Sequence, residues 1–213
     1  MTDGLGDGSK GAISVPVLVY VLIFLTNHVL YNNETIHDAP VTLRKKSPIT
    51  AIEKGLLNKI TCIQVDLRNK PPELQQFNPL GKIPTLVTET GGCYYESSII
   101  CDYLDSLTEP KLMPLDNDSQ LKIRNLCGLS DGITNLAVDH FKETLRPEQK
   151  QSNGLKKKFQ TTIEASLIHI NKMLPEFGTE LSPATIALIS ALGYVSLRFP
   201  ELKWRETLPE LSN

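Results

Sequence analysis

Two short stretches carry residue types that could hold a peptide-like ligand. In the first, Ile83-Pro84 opens an apolar run directly after Asn78-Pro79-Leu80-Gly81-Lys82. A cis proline there, a state folded proteins keep only where geometry demands it, would turn the Ile83 backbone N–H and C=O outward. An extended peptide could then pair with them as an added strand. In the second, Tyr95-Glu96-Ser97-Ser98 ends one apolar run and begins another. The Ser97 hydroxyl and the free N–H groups of a helix start suit a carboxylate, and the Glu96 carboxylate suits an ammonium beside it. Both charges sit on one carbon of an amino-acid head group. Each stretch has a plain alternative: a trans proline on an edge strand, ahead on composition alone, and an ordinary serine N-cap. Twelve residues separate Pro84 from Glu96, and the pair together is more specific than either.

Other chemistry finds little support. The four cysteines, Cys62, Cys93, Cys101 and Cys127, show no CxxC spacing and no partnering histidine pair. That argues against zinc, a dithiol redox motif or a disulfide framework, and reduced, mostly buried thiols are the expectation. His28, His37, His140 and His169 are scattered, so no metal site is expected. Formal net charge is −2, and the basic runs Arg44-Lys45-Lys46 and Lys156-Lys157-Lys158 lack interleaved aromatics. Both read as solvated faces, and nucleic acid is not an expected partner.

The elements that must position these residues follow from pattern. Residues 1 to about 12 are rich in Gly, Ser and Asp. Val15–Leu25 is an apolar, β-branched run, shorter than the roughly 20 residues a membrane helix needs. It lacks the basic start of a secretory signal, so a buried strand is the better reading and a membrane location is not expected. TAIEKGLL predicts a helix starting near Ser47, which could cap it, with Gly55 near its end. Lys59–Leu67 alternates like a strand, and Pro71-Pro72 opens a short turn or helix. Lys82–Thr88 reads as a strand and Gly91-Gly92 as a hairpin loop into Cys93–Tyr95. Ser97–Leu107 reads as an amphipathic helix with Ile99, Ile100, Tyr103 and Leu104 on its apolar face. Beyond Pro114 the pattern is helical throughout: Ser119 to about Thr144, Asn153–Leu174, and Ala184–Leu197, which is apolar almost all round. Trp204 reads as packing. A mixed sheet followed by a helical bundle is an α+β half joined to an all-α half.

The stretch AIEKGLLNKI…VDLRNKPPELQQFNPLGKIPTLV…YESSIICDYLD resembles the N-terminal domain of glutathione transferases of the bacterial-type cytosolic branch. LSDGITNLAVDHFKETLRPEQKQ and LSPATIALISALGYVSLRFPELKWR resemble the helical domain of that branch, and the likeness spans about Thr42 to Leu208. It implies a thioredoxin-like glutathione-binding domain over 41-109 and a helical domain over 115-213 lacking its last helix. An atypical, partly disordered segment over 1-40 precedes them. It also implies that Ile83 and cis-Pro84 bind the cysteinyl backbone of glutathione and that Glu96 and Ser97 hold its γ-glutamyl head. The first half of the helical domain would line a pocket for a small hydrophobic electrophile. Glutathione is then a co-substrate, with no metal or bound cofactor. A cytoplasmic detoxification enzyme working as a homodimer is the corresponding expectation. A non-catalytic glutathione-binding or interaction module of the same fold is the alternative.

Three features depart from the family pattern. The family places a Ser, Cys or Tyr after the first strand, where it stabilises the glutathione thiolate. Here Ala39 precedes Pro40 at that place, Thr42 is the nearest hydroxyl, and Ser47-Pro48 lies beyond Arg44-Lys45. The catalytic residue is therefore unassigned. Thr185 stands where the family has a capping Asp, which predicts a weakened box at Ser182. The chain stops at Leu211-Ser212-Asn213, which predicts exposed apolar surface on the Ala184–Leu197 helix.

Overall fold

The computed structural model describes residues 20–22, 46–63, 72–178 and 180–212. Within the N-terminal half, β1 (Tyr20–Leu22), β2 (Thr61–Ile63), β3 (Thr85–Val87) and β4 (Cys93–Tyr95) form one sheet in the order β2-β1-β3-β4. β1 runs parallel to β2 and antiparallel to β3, and β3 pairs antiparallel with β4. The middle of the Val15–Leu25 run thus supplies an inner strand of the sheet. The rest of the 1-40 segment, with Ala39 and Pro40, lies outside the described residues, as do 41–45, with Thr42, and 64–71.

Helix α1 (Lys46–Glu53) ends at Gly55, whose φ of +65° is the left-handed conformation that favours glycine at a helix C-terminus. The amides of Gly55 and Leu56 return to the Ile52 and Ala51 carbonyls at 2.9 and 2.8 Å. Helix α2 (Pro72–Phe77) precedes the Ile83-Pro84 loop, and α3 (Ser97–Ser106) follows β4. Ala51, Leu56, Leu86, Ile100 and Leu104 form the core between α1, α3 and the sheet. Ile99 does not join it: it is half exposed, because α3 turns Ile100 and Leu104 inward instead.

The C-terminal half is all helical: α4 (Asn117–Thr144), α5 (Asn153–Met173), α6 (Pro183–Arg198) and the short α7 (Trp204–Thr207) and α8 (Pro209–Ser212). Leu126, Ile133, Ile163, Leu167, Ile170, Leu188 and Val195 fill its core. α6 is buried along Ala184, Ile186, Ala187, Ala191 and Leu192, while Ile189 and Leu197 are exposed. Trp204 and Leu211 close against the same core. The box at Ser182 is intact, not weakened. The Ser182 hydroxyl accepts from the Thr185 amide at 3.3 Å, and the Ser182 amide donates to Thr185 Oγ1 at 2.9 Å. A threonine hydroxyl can accept that bond as a carboxylate would.

Two polar clamps join elements distant in sequence. Lys54 at the end of α1 is buried and pairs with Asp105 of α3 at 2.9 Å, while also donating to the carbonyls of Thr108 and Pro110. Between the halves, Lys46 and Asp131 of α4 form a two-oxygen ion pair at 2.7 and 2.8 Å. Lys46 is only 8% exposed, so this end of the Arg44-Lys45-Lys46 run is not a solvated face. The thiols also differ from expectation: Cys62 and Cys93 are exposed, and Cys101 and Cys127 are partly buried. Among the described residues, no helix is long and apolar enough to cross a membrane, and no metal-ligating cluster occurs.

Candidate functional site

The β3–β4 pairing brings the two candidate stretches together. Its register ends at Thr85 opposite Tyr95. One residue further along each chain stand Pro84 and Glu96, so both anchors emerge at the same end of adjacent strands. Opposed residues in an antiparallel pair sit about 4.5–5.5 Å apart, a separation one tripeptide spans easily. The Ile83-Pro84 bond is cis.

The Ile83-Pro84 loop is held from beneath by Asn78, the first residue of the Asn78-Pro79-Leu80-Gly81 stretch. Asn78, at the end of α2, is 1% exposed. Its Nδ2 donates to the Lys82 carbonyl at 2.9 Å and to Thr85 Oγ1 at 3.1 Å, and its Oδ1 accepts from the Leu80 amide at 3.0 Å. Thr85, fully buried, donates back to the Lys82 carbonyl at 2.9 Å. The expected strand over Lys82–Thr88 therefore shortens to Thr85–Val87: Lys82 is bonded to side chains, not to a neighbouring strand. The only sequence signal for this was an Asn at the start of a Pro-Leu-Gly turn, a composition shared by many surface turns.

Glu96 is the N-cap of α3, with φ 73° and ψ 126° and no side-chain capping bond. A non-glycine residue in that region costs on the order of 1–3 kcal/mol, and such residues concentrate at functional sites. Its exposed carboxylate stays available, beside the half-buried Ser97 at the positive end of α3.

Next to Ser97 a cavity of about 250 Å³ opens between the halves, lined by Lys46 and Thr50 of α1, Ser98, Cys101 and Asp102 of α3, and Met113. Its opposite wall is Arg124, Cys127, Gly128 and Asp131 of α4 with Pro183 and Ile186 of α6. Asp131 thus both lines the cavity and fixes Lys46. The accessible surface of the lining is mostly apolar, and Lys46, Asp102, Arg124 and Asp131 add charged groups to it.

No described group matches the missing catalytic residue. The Ser47 hydroxyl, which is expected to cap α1, instead lies within the helix. It is 2% exposed and has no hydrogen-bond partner among the described residues. Thr50 donates its proton to Cys101 Sγ at 3.3 Å. Burial pushes the Cys101 thiol up, outweighing Thr50 and the nearby Lys46 ammonium, and pushes Cys127 to about 11. Neither thiol is a ready nucleophile at neutral pH.

The order of strands and the cleft beside a helix start define a thioredoxin-like domain carried on a helical one. Comparison with known proteins agrees. The glutathione S-transferase N-terminal domain family matches residues 45–107. The uncharacterized GST-like protein YibF of Escherichia coli (strain K12) is 33% identical over 176 residues, covering 78% of this chain and 84% of YibF. A glutathione transferase family member from Pseudomonas fluorescens Pf-5, solved with bound glutathione, superposes with a TM-score of 0.76 at 27% identity. The likeness covers 91% of this chain and 90% of that one. A Pseudomonas fluorescens Pf-5 structure with bound S-(propanoic acid)-glutathione gives a TM-score of 0.72 at 25% identity, with the same coverage. The chain belongs to the glutathione transferase family.

Proposed function

We propose that this protein binds glutathione at the Ile83-Pro84 corner and the Glu96-Ser97 helix start and conjugates it, through its sulfur, to a small hydrophobic electrophile. The observation that supports the reading is the β3–β4 register, in which Pro84 and Glu96 follow opposed residues at one end of the two strands. The Ile83 backbone pairs with the cysteinyl residue, the Glu96 carboxylate takes the γ-glutamyl ammonium, and Ser97 with the α3 N-terminus takes its carboxylate. The thiolate attacks the electrophile, a C–S bond forms, the leaving group departs with its electron pair, and the thiol proton passes to solvent. Glutathione bound to the Pseudomonas fluorescens Pf-5 relative, and a glutathione with a carboxylate-bearing arm on sulfur in the related structure, support this ligand class. A cytoplasmic homodimer without metal or bound cofactor belongs to the same proposal. The exposed apolar side chains of Tyr95, Ile99, Leu115 and Leu121 near α3 and the start of α4 offer a surface for a second copy.

A non-catalytic glutathione-binding or protein-interaction module of the same fold is the second reading, favoured by the burial of the Ser47 hydroxyl, which is 2% exposed. Retention on immobilised glutathione together with conjugation of chlorodinitrobenzene separates the two. Retention with turnover above the uncatalysed rate supports the transferase. Retention without turnover leaves the binding module, and failure of both overturns the site.

A further inference from the structure

We infer that Gly128 of α4 limits the size of the electrophile this protein accepts, holding open the space for one substituted ring. The inference rests on the transferase reading, in which the first half of the helical domain lines the electrophile pocket, and adds the residue that sets the pocket's limit.

Gly128 sits well inside α4, where glycine is disfavoured because it loses more backbone freedom on folding than any other residue. The usual reasons for a glycine do not account for it. Gly55 and Gly91 hold left-handed φ values of +65° and +82°, whereas Gly128 has the helical backbone that alanine adopts more readily. Close packing is not the reason either, since a Cβ added at Gly128 would meet nothing within 4 Å. What the missing side chain leaves is room: Gly128 lines the cavity between the halves, on the wall opposite Thr50, Ser98 and Cys101. Gly132, one turn further along α4, supplies the comparison. A Cβ added there also meets nothing within 4 Å, yet Gly132 does not line the cavity. The two glycines share a helix and a freedom from contact, and they differ in bordering the cavity.

The volume sets the class of acceptor. An apolar cavity of about 150 Å³ holds one benzene ring. A cavity of about 250 Å³ therefore takes one ring with its substituents and not two rings. A leucine side chain at position 128 would extend from the cavity wall into the room a substituted ring needs, and would still leave space for a one-carbon acceptor. Neither glutathione anchor belongs to α4, so the grip on glutathione does not depend on this position. Cys101 and Cys127 in the lining are held as thiols by burial, so they do not compete with glutathione for the electrophile.

The test compares chlorodinitrobenzene with iodomethane. In each, glutathione sulfur bonds to the carbon bearing the halogen, halide leaves with the carbon–halogen electron pair, and the thiol proton goes to solvent. The readout is kcat/KM for each acceptor relative to its uncatalysed rate. Gly128→Leu lowers the value for chlorodinitrobenzene at least about tenfold, as overfilling a fitted space does, and leaves iodomethane within about twofold. Retained turnover of iodomethane also reports that the variant is folded. Gly132→Leu leaves both acceptors at wild-type values. Neither variant changes KM for glutathione or the elution volume in gel filtration. Gly128→Ala and Gly132→Ala each raise Tm by about 2–4 °C, because alanine favours the helix and meets no clash. An unchanged rate with chlorodinitrobenzene in Gly128→Leu overturns the inference, as does an equal loss for both acceptors. So does an effect shared by Gly132→Leu, a changed oligomeric state, or a Gly128→Ala variant less stable than the wild type, which would give the glycine a packing role. Wild-type turnover of iodomethane alone overturns only this inference. Wild-type turnover of neither acceptor overturns the transferase reading and this inference with it.

Discussion

Replacing Asn78 by alanine should loosen the glutathione corner and destabilise the N-terminal half together. The amide makes three hydrogen bonds, at 2.9 Å to the Lys82 carbonyl, 3.1 Å to Thr85 Oγ1 and 3.0 Å from the Leu80 amide. A net contribution of about 1 kcal/mol each gives about 3 kcal/mol for the set. For a chain of this length, about 2–4 °C of Tm accompanies each kcal/mol, so a fall of roughly 6–12 °C is expected. Asn78→Asp keeps the acceptor for Leu80 but loses both donations and sets a carboxylate against the Lys82 carbonyl. At pH 7 it should cost at least as much as alanine. Thermal unfolding followed by circular dichroism gives the stability, and calorimetric titration with glutathione at a temperature where the variant is folded gives the affinity. Affinity should fall, because Lys82 and Thr85 flank the Ile83-Pro84 corner. An Asn78→Ala variant within about 1 kcal/mol of wild type and binding glutathione equally well would show that the corner does not depend on this network.

Two further outcomes follow from the clamps. Burial tends to raise the Asp105 carboxyl, but the Leu112 amide at 2.8 Å, the Lys54 ammonium and the Met113 amide hold it below its ordinary range. Its stabilisation is complete above that ordinary range and is lost as pH falls through the lowered folded value. Asp105→Asn should cost about 3 kcal/mol at pH 7, because it leaves the buried Lys54 without its counter-charge. The variant should lose less stability than wild type between neutral pH and the acid limb of a urea-melt series. An equal acid loss in both would refute the assignment. At the start of α6, Thr185→Ala should cost about 1 kcal/mol by urea denaturation, and Thr185→Asp should recover most of it. A Thr185→Ala variant as stable as wild type would mean that the box contributes nothing.

What could be read from sequence was local. Gly55, Gly91-Gly92 and Pro183 mark a helix end, a hairpin and a helix start through their own backbone constraints, and each stands where its chemistry dictates. Glu96 and Ser97 were visible as a strand-to-helix junction, because their meaning lies in consecutive residues. The Lys46–Asp131 pair joins residues 85 apart, and no local pattern distinguishes Lys46 from its basic neighbours. Asn78 looks like any turn asparagine until the fold carries Lys82 and Thr85 over it. Ile99 and Ile100 differ by 100° around α3, and only the position of the sheet decides which of them is buried. At Thr185 residue type alone points to a weaker box than a carboxylate would give, yet the threonine hydroxyl accepts the Ser182 amide at 2.9 Å.

The central claim is that one tripeptide is gripped at both the Ile83-Pro84 corner and the Glu96-Ser97 helix start. Calorimetric titration of the wild-type chain with glutathione and with cysteinylglycine, which lacks the γ-glutamyl head, tests it most directly. Hydrogen bonds to charged groups contribute about 1.5–3 kcal/mol each, so glutathione should bind at least about tenfold more tightly. Equal affinities, or no binding of either peptide, would contradict it.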